Sequence, residues 1–271
     1  MKHLRKILKH ILTFPQVFIH KLRGINHSYN DLVNFFRYFP FGWVGKNKTV
    51  YFFFGGRLVK FFYGHLKPVS AGIFKNGEYD EVGVKDKVVA DIGVGIGDTV
   101  IYFVLKGAKK VYGYELNKRY FDMAQKNIDL NNLRNKIEIE HCGIASKKIK
   151  SSDVILGALM PKEDQLNVEK ANFKTLDGIT RERELEGAVL KIDVDGFEYE
   201  IIESASKETL RKFSYIFMEY HFGIKGLEKK LIDCGFSVNI KKITKVKVDY
   251  HPMEYQQMDI GLIEARLLSL K

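Results

Sequence analysis

The 271-residue sequence predicts an α/β protein built on a mainly parallel seven-stranded sheet with an antiparallel hairpin at one edge. From residue 76 onward, five short apolar runs alternate with helical segments, a pattern typical of parallel strands joined by helices. Two further strands near the carboxyl terminus have no long helix between them, which indicates an antiparallel pair. Residues 1–75 follow a different pattern, so we expect an accessory region over 1–75 and a main domain over 76–271.

The first segment predicts an amphipathic helix with a cationic face. Apolar residues recur at helical spacing from Leu4 to Leu12, basic residues fall between them, and Pro15 ends the pattern. Such a helix suits an anionic membrane surface, with residues 1–14 as the contact. The alternative is a helix that packs on its own domain or on a second subunit, which is the commoner fate of amphipathic helices.

Residues 29–63 are rich in aromatic side chains and predict a β-hairpin. Two short β segments flank Gly55 and Gly56, a pair that suits a two-residue turn. Aromatic surfaces can stack sugars or bases, but we expect core packing for most of these rings. The region 1–75 therefore predicts a helical and β-hairpin extension that covers an active site.

The composition predicts a folded protein of the cytoplasm. Lys and Arg outnumber Asp and Glu 44 to 33, giving a net charge of +11, which favours polyanionic partners without choosing among them. Cys142 and Cys234 are too few for a disulfide framework, which favours a reducing compartment. No stretch reaches about 18 apolar residues, so membrane spanning and export are both disfavoured.

The main domain brings polar residues to the carboxyl ends of its predicted strands. Ligands bind at this edge of an open parallel sheet. The five runs are KVVADIG, KVYGYE, KIEIEHC, AVLKIDV and YIFMEYH, and the residues expected to converge are Asp91, Glu115, Cys142, Asp193 and Glu219.

A glycine-rich loop follows the first of these strands in VVADIGVGIGDTV, residues 88–100. Gly93, Gly95 and Gly97 are spaced G-x-G-x-G, and Asp98 occupies the place of the third glycine of a dinucleotide fingerprint. A P-loop is excluded because no Gly-Lys-Ser/Thr follows. Asp98 precedes a helical stretch, and helix capping and ligand contact are equally compatible with its position.

The second strand ends at Glu115, 22 positions after Gly93. A carboxylate there can accept hydrogen bonds from both hydroxyls of a ribose. Asn117, just beyond it, is predicted to be a helix N-cap only. The glycine loop and Glu115 on consecutive strand ends together predict a cofactor that carries a nucleoside.

Longer motifs resemble a known family. The glycine loop resembles the first motif of S-adenosylmethionine-dependent methyltransferases, in which Asp91 would face the ammonium group of the cofactor directly or through water. The segments DIGVGIGDTVIYFVLKGAKKVYGYELN, LKIDVDGFEYEIIESA and IFMEYH together resemble the FkbM-type methyltransferases over about residues 76–240. The resemblance implies a Rossmann-like class I methyltransferase fold, S-adenosylmethionine as cofactor, and methyl transfer to an oxygen of a sugar, polyketide or other metabolite.

Two positions depart from the usual family pattern. Val94 and Gly95 replace an Ala-Asn pair, which removes the polar contacts of that asparagine. Asp195 replaces a glutamate and shortens a carboxylate by one carbon. We expect cofactor binding to survive both changes, whereas the acceptor preference is open.

The fourth strand predicts catalytic groups beside the donor, because a hydroxyl acceptor must lose a proton. Lys191 and Asp193 share a face by period-two alternation, so Lys191 is expected to pair with Asp193, with a buried structural ion pair as the alternative. Asp195 and Glu198 have capping-box spacing, so capping is the default for both. The family motif suggests an active-site role for Glu198.

Glu219 and His221 share a face at the end of the fifth strand. A histidine of near-neutral pKa oriented by a carboxylate is a suitable general base, and a structural histidine is the alternative. Asp193, Glu219 and His221 offer ligands for a divalent ion, which is the less favoured option, so no metal is predicted. Our hypothesis is that Asp193 and His221 act on the acceptor hydroxyl.

The sequence thus predicts O-methylation of a sugar, glycan or other small-molecule hydroxyl. The alternative is an RNA or tRNA methyltransferase, supported by the basic composition. The Asn/Asp-Pro-Pro-Tyr-like segment that usually marks methylation of base nitrogens is replaced here by Asp-Val-Asp-Gly-Phe, so nucleic acid is the less favoured acceptor. A third alternative is a scaffold or membrane adaptor without catalysis, which the acids at several strand ends disfavour.

Overall fold

A computed structural model describes residues 42–44, 48–62, 70–146, 172–248 and 256–268. The chain divides into two compact units, Met1–Glu78 and Tyr79–Lys271. The amphipathic helix predicted for residues 1–14 lies outside the described residues, so its membrane contact stays a prediction.

The described part of the first unit is a small antiparallel sheet and one helix. Strands β1 (Gly42–Val44), β2 (Thr49–Phe54) and β3 (Arg57–Phe62) are ordered β1-β2-β3, and helix α1 (Ser70–Asn76) follows them. Gly55 and Gly56 form the turn with φ of 57° and 82°, values that glycine adopts freely, so the predicted hairpin is confirmed. The rings of Phe52, Phe61 and Phe74 pack together with centroids 5.0–6.0 Å apart, as expected for a core.

The second unit contains the predicted seven-stranded sheet, in the order β11-β12-β10-β9-β4-β5-β6. Neighbouring strands are parallel from β6 through β10, and β12 is antiparallel to both of its neighbours. A short parallel pair, β7 and β8, lies beside this sheet. The strands are β4 (Val88–Ile92), β5 (Lys110–Glu115), β6 (Ile137–His141), β7 (Gly143–Ile144), β8 (Phe173–Lys174), β9 (Ala188–Ile192), β10 (Phe213–Tyr220), β11 (Phe236–Val248) and β12 (Gln256–Leu267).

Helices connect the parallel strands. They are α2 (Asp98–Leu105), α3 (Lys118–Leu130), α4 (Leu176–Glu182), α5 (Glu198–Ser204), α6 (Lys207–Leu210) and α7 (Leu227–Asp233). Asn117 caps α3 as predicted, since its side-chain oxygen accepts from the Arg119 N–H at 2.9 Å. Within the described residues, no helix combines the length and the apolar content that crossing a membrane requires.

The sequence FEYEIIESASKETLRK, residues 197–212, has the pattern of one helical segment but forms two helices in the structure. The backbone at Ala205 is extended, with ψ of 137°, and this ends α5. The Ser206 side chain then accepts from the Thr209 N–H at 3.1 Å and caps α6. A serine in the middle of a helical pattern is thus a new helix start, because its hydroxyl satisfies an otherwise unpaired N–H.

The core lies between the central strands and the helices on both faces. Val189, Leu190 and Ile192 of β9 are fully buried, as are Val89 and Ala90 of β4. Strands covered on both faces need nearly continuous apolar sequence, and these two have it. The exceptions are the ionisable residues Asp91 and Lys191, at 0% and 1% exposure, which lie next to the site.

Candidate active site

The glycine loop after β4 packs directly against the end of β9. A Cβ on Gly93, where φ is 86°, would lie 1.9 Å from the backbone oxygen of Asp193. A Cβ on Gly97, where φ is 90°, would lie 3.1 Å from the Cα of Ala124 in α3. Glycine at these two positions therefore lets the loop approach its neighbours, and it places the predicted cofactor loop beside the predicted catalytic strand.

Gly95 lies at the open side of this loop. Its φ is 57°, and a Cβ there would meet no protein atom within 4 Å. The adjacent Val94 points inward and is 1% exposed, against the bare Cα of Gly113. The loop thus presents backbone without side chains to open space, and this cradle fits a ligand that must approach the main chain closely.

Glu115 at the end of β5 closes the other side of the cradle. Its Oε2 accepts from the Gly95 N–H and its Oε1 accepts from the Asn117 N–H, both at 2.8 Å. Burial raises the pKa of Glu115 to about 7, while the two backbone hydrogen bonds oppose the shift. Each oxygen can accept a further hydrogen bond, so the carboxylate is arranged to take the two hydroxyls of a ribose.

Asp98 is the first residue of α2, so of its two expected roles the N-cap is contradicted. The N-cap is Gly97, and Asp98 Oδ1 accepts from the next residue's N–H, that of Thr99, at 3.1 Å. Burial raises the pKa of Asp98 to about 7. A carboxyl group held at a helix amino terminus beside the cradle is compatible with ligand contact, which stays a prediction.

Asp91 and Lys191 pair with each other across neighbouring strands. Lys191 Nζ lies 3.1 Å from Asp91 Oδ1 and 3.9 Å from Asp193 Oδ2, so the expected pairing of Lys191 with Asp193 is present but is the longer of two ion pairs. Asp91 Oδ2 also accepts from the Thr99 hydroxyl. Because Asp91 has no exposed surface, its geometry does not support direct contact with the ammonium group of a cofactor, and contact through water stays a prediction.

Cys142 follows β6 as predicted but lies in the apolar core. Its side chain belongs to the buried cluster between the sheet and the helices and is 1% exposed. Burial raises the pKa of the thiol to about 12, so it stays protonated and apolar in character. The geometry gives no support to contact between this thiol and a cofactor.

Three predicted catalytic residues converge at the ends of β9 and β10. Asp193 follows β9 directly, Glu219 is near the end of β10, and His221 follows that strand. One ligand atom of each residue lies within 4.8 Å of the other two. This set of two carboxylates and one imidazole is called the acceptor cluster below.

Glu198 supports the acceptor cluster from within the protein. It is fully buried, and its Oε1 accepts from the His221 backbone N–H at 2.8 Å and lies 3.3 Å from His221 Nδ1. Its Oε2 accepts from the Gly196 N–H at 2.8 Å. The predicted capping box is wrong, because α5 begins at Glu198 with Phe197 as an N-cap that makes no side-chain hydrogen bond.

His221 is not a base of near-neutral pKa. Burial alone would lower its pKa, but the hydrogen bond to Glu198 and the negative charges of Glu198, Asp195 and Asp193 outweigh burial and raise the pKa to about 9. The imidazole is therefore protonated at neutral pH when only these protein groups surround it. The exposed carboxylate of Asp195 lies 3.4 Å from Nε2 on the open side of the ring.

Sequence reasoning missed two residues of the site. Thr99 binds Asp91 through its hydroxyl, and its position next to Asp98 in the glycine motif was a usable signal. Tyr199 accepts from the Phe222 N–H at 2.8 Å and donates to the Gly223 oxygen at 2.6 Å, which fixes the backbone just after His221. Local sequence carried no signal for that contact, because it joins α5 to the end of β10.

The comparisons with known proteins include a family model and several methyltransferase relatives. The model of the methyltransferase FkbM domain matches residues 91–238, more than half of the chain. The uncharacterized protein MJ1452 of Methanocaldococcus jannaschii is 28% identical over 66% of this chain, which covers 64% of that protein. MJ0928 of the same archaeon, named as a candidate protein N5-glutamine methyltransferase, is 32% identical over 61% of this chain and 78% of its own length.

One of the solved structures to which the chain is similar is M. jannaschii TYW2 in complex with AdoMet. It is 16% identical, the match covers 83% of this chain and 89% of that one, and the TM-score is 0.45. The family match covers the glycine loop, Glu115 and the acceptor cluster. The chain belongs to the FkbM family of S-adenosylmethionine-dependent methyltransferases.

Proposed function

We propose that this protein transfers a methyl group from S-adenosylmethionine to a hydroxyl oxygen of a sugar, a glycan or another small molecule. The observation that carries the proposal is the position of the acceptor cluster. Asp193 belongs to this cluster, and its backbone oxygen packs against Gly93 of the cofactor loop. This contact supports the proposal, because groups able to act on a hydroxyl lie next to the loop that we assign to the donor.

On the donor side, the chain supplies a cradle for the nucleoside and the methionine part of the cofactor. Glu115 is assigned to the ribose hydroxyls, and the bare backbone at Gly95 allows close approach of the ligand. Asp98 borders the same space at the start of α2. S-adenosylmethionine supplies an activated methyl group on a sulfonium, so the chain must orient the acceptor and remove a proton.

On the acceptor side, Asp193 and His221 orient the hydroxyl, and the carboxylates of the cluster are available as proton acceptors. The His221 ring is held at Nδ1 by Glu198, so Nε2 faces the acceptor space. Lys191 is committed to Asp91 and to the backbone oxygen of Gly93, which it reaches at 2.7 Å. We therefore assign Lys191 and Glu198 to positioning rather than to contact with the substrate.

The negative charge around the acceptor cluster favours a neutral or cationic acceptor over a nucleic acid. Asp195, Glu198 and Glu219 each place an oxygen 3.3–3.5 Å from a ring nitrogen of His221, and Asp193 belongs to the same cluster. A phosphate backbone would meet these carboxylates as like charges. RNA remains the second candidate because of the net charge of +11, and it predicts binding that weakens steeply with added salt.

The test is methyl transfer by the full-length chain with S-adenosylmethionine and a panel of sugars, oligosaccharides and phenols, with total RNA as a further acceptor. Mass spectrometry is expected to detect a methyl ether. Asp193→Asn should lower turnover by about 10²- to 10⁴-fold and leave S-adenosylhomocysteine affinity unchanged. Asp122→Asn, a change at an exposed carboxylate, is the matched control. Methylation confined to RNA bases, or full turnover by Asp193→Asn, would refute the proposal.

A further inference from the structure

We infer that the acceptor cluster of Asp193, Glu219 and His221 is a binding site for a divalent first-row metal cation, through which the acceptor hydroxyl is activated. The role of the cation rests on the proposed function. Binding of the cation does not rest on the proposed function, and it can be measured without any acceptor.

The spacing of the cluster suits one cation. A carboxylate oxygen of Asp193, one of Glu219 and a ring nitrogen of His221 lie within 4.8 Å of one another. Ligand atoms at about 2.1 Å from a small divalent cation are about 3–4 Å apart, so the ligand atoms of the cluster are already near the spacing that one cation requires.

His221 is held as a metal-binding histidine usually is. Its side chain is 4% exposed, and its Nδ1 lies 3.3 Å from Oε1 of the fully buried Glu198. Metal-ligating histidines almost always donate one ring N–H to a carboxylate or carbonyl, which directs the other nitrogen to the metal. Glu198 itself is fixed by the backbone N–H groups of Gly196 and His221, so the ring orientation is built into the fold.

The other ring nitrogen points into the cluster. Within the described parts of the chain, His221 Nε2 makes no hydrogen bond, and its nearest acidic oxygens are Asp195 Oδ1 at 3.4 Å and Glu219 Oε1 at 3.5 Å. A buried imidazole nitrogen that faces several carboxylates at such distances fits a cation placed between them. Mixed imidazole and carboxylate ligation suits Mn²⁺, Fe²⁺ or Zn²⁺ better than Ca²⁺.

The surrounding charge also favours a cation. The carboxylates of Asp193, Asp195, Glu198 and Glu219 lie about His221. Among the described residues, Lys191 brings an ammonium to the cluster, and it lies closer to Asp91, at 3.1 Å, than to Asp193, at 3.9 Å. A divalent ion would take the place of the proton on His221 and place a larger positive charge among these carboxylates.

A bound cation completes the reaction without another co-reactant. A hydroxyl oxygen bound to the cation loses its proton more readily, and that proton passes to the exposed carboxylate of Asp195 and then to solvent. The oxygen forms a bond to the methyl carbon while the carbon–sulfur bond breaks. The electron pair of the broken bond stays on sulfur. The products are a methyl ether and S-adenosylhomocysteine.

The test is Mn²⁺ titration of the full-length protein, freed of metals with EDTA and saturated with S-adenosylhomocysteine, followed by the free-ion signal in electron paramagnetic resonance. We expect one Mn²⁺ per chain. Glu219→Gln and His221→Ala should abolish binding, and Glu198→Gln should weaken it by about 10- to 100-fold. Asp122→Asn should bind as the parent does. Retained affinity for S-adenosylhomocysteine shows that each variant is folded.

Two results would overturn the inference. One is no Mn²⁺ binding by the parent chain, and the other is unchanged binding by Glu219→Gln, a substitution of nearly equal size. Failure of the metal-binding inference is distinct from failure of the proposed function, which is measured by methyl ether formation. If methyl ether forms at the same rate in metal-free protein, the O-methyltransferase assignment stands and the role of the cation is refuted.

Discussion

Lys191 and Asp91 are directly opposite each other on the neighbouring parallel strands β9 and β4, and their charged atoms are 3.1 Å apart in a fully buried setting. Lys191 also donates to the backbone oxygen of Gly93 at 2.7 Å. Burial alone would lower the pKa of Lys191, but the carboxylates of Asp91 and Asp193 raise it, so the ammonium stays charged. One side chain therefore joins the two central strands and holds the cofactor loop.

Replacing Lys191 by Met should strongly destabilise the protein, because it leaves a buried carboxylate without its partner. We expect the free energy of unfolding to fall by about 3–5 kcal/mol, measured by urea denaturation. The matched control is Lys118→Met, which breaks an exposed pair with Asp122 and should cost at most about 1 kcal/mol. Equal losses in the two variants would contradict the structural role of the buried pair.

The cradle at Gly95 can be tested with a substitution matched for backbone strain. Gly95 and Gly55 share a φ of 57°, and a Cβ on either would meet no protein atom within 4 Å. Alanine at either position should therefore cost a similar 1–2 kcal/mol or so in the free energy of unfolding. Only Gly95→Ala places a methyl group in the space assigned to the cofactor.

We expect Gly95→Ala to lower S-adenosylmethionine affinity at least about tenfold, about 1.4 kcal/mol, in isothermal titration calorimetry. Gly55→Ala, in the hairpin of the first unit, should bind the cofactor like the parent chain. If both variants lose affinity equally, general destabilisation is the cause and the cradle assignment fails.

Glu115 should make cofactor affinity depend on pH. Burial raises its pKa to about 7, and the ionised form is the better acceptor for ribose hydroxyls and is attracted to the sulfonium. Affinity should therefore fall by up to about tenfold per unit as pH decreases below about 7, and it should level off above that value. The free energy of unfolding changes in the opposite direction. A carboxyl group whose pKa is raised in the folded state binds its proton more tightly there, so Glu115 lowers the free energy of unfolding as pH rises from about 4.5 to 7.

Calorimetric titration of S-adenosylhomocysteine across pH 5–9 provides the measurement. Glu115→Gln should lower affinity by roughly ten- to hundredfold at pH 8. It should also remove the part of the pH dependence of affinity that comes from Glu115. Asp98→Asn is needed beside it, because the pKa of Asp98 is also raised to about 7 by burial. The exposed Glu184→Gln is the matched control, and an unchanged pH profile in Glu115→Gln would count against this carboxylate.

The features of the fold that sequence could predict are those set by local pattern. Apolar runs in strands covered on both faces, the Asn117 cap and the Gly55-Gly56 turn each follow from a few consecutive residues. The position of Glu115 was equally accessible, because a residue that ends a parallel strand must lie at the ligand edge of the sheet.

The partners of the buried charges could not be predicted in this way. Alternation along β9 correctly placed Lys191 and Asp193 on one face, but the register of β4 brings Asp91 closer. Glu198 has the spacing of a helix cap, yet α5 begins at this residue and turns it toward His221. The pKa of His221 then follows from Asp193, Asp195 and Glu198, which lie more than 20 residues away in sequence, so it is a tertiary property with no local signature.

Tyr199 should control the backbone next to the acceptor cluster. Its hydroxyl is the partner of both the Phe222 N–H and the Gly223 oxygen, so Tyr199→Phe deprives two main-chain groups of a hydrogen bond. We expect the free energy of unfolding to fall by about 1–3 kcal/mol and the KM for the acceptor to rise, with little change in S-adenosylmethionine affinity. Urea denaturation and steady-state kinetics measure the two effects.

Tyr112→Phe is the matched control, because no hydrogen bond of the Tyr112 hydroxyl occurs among the described residues. The contacts of the Tyr112 ring with Lys110 and Arg183 do not need that oxygen. Faster hydrogen exchange at the Phe222 amide in Tyr199→Phe alone would locate the effect, and equal exchange in both variants would contradict it.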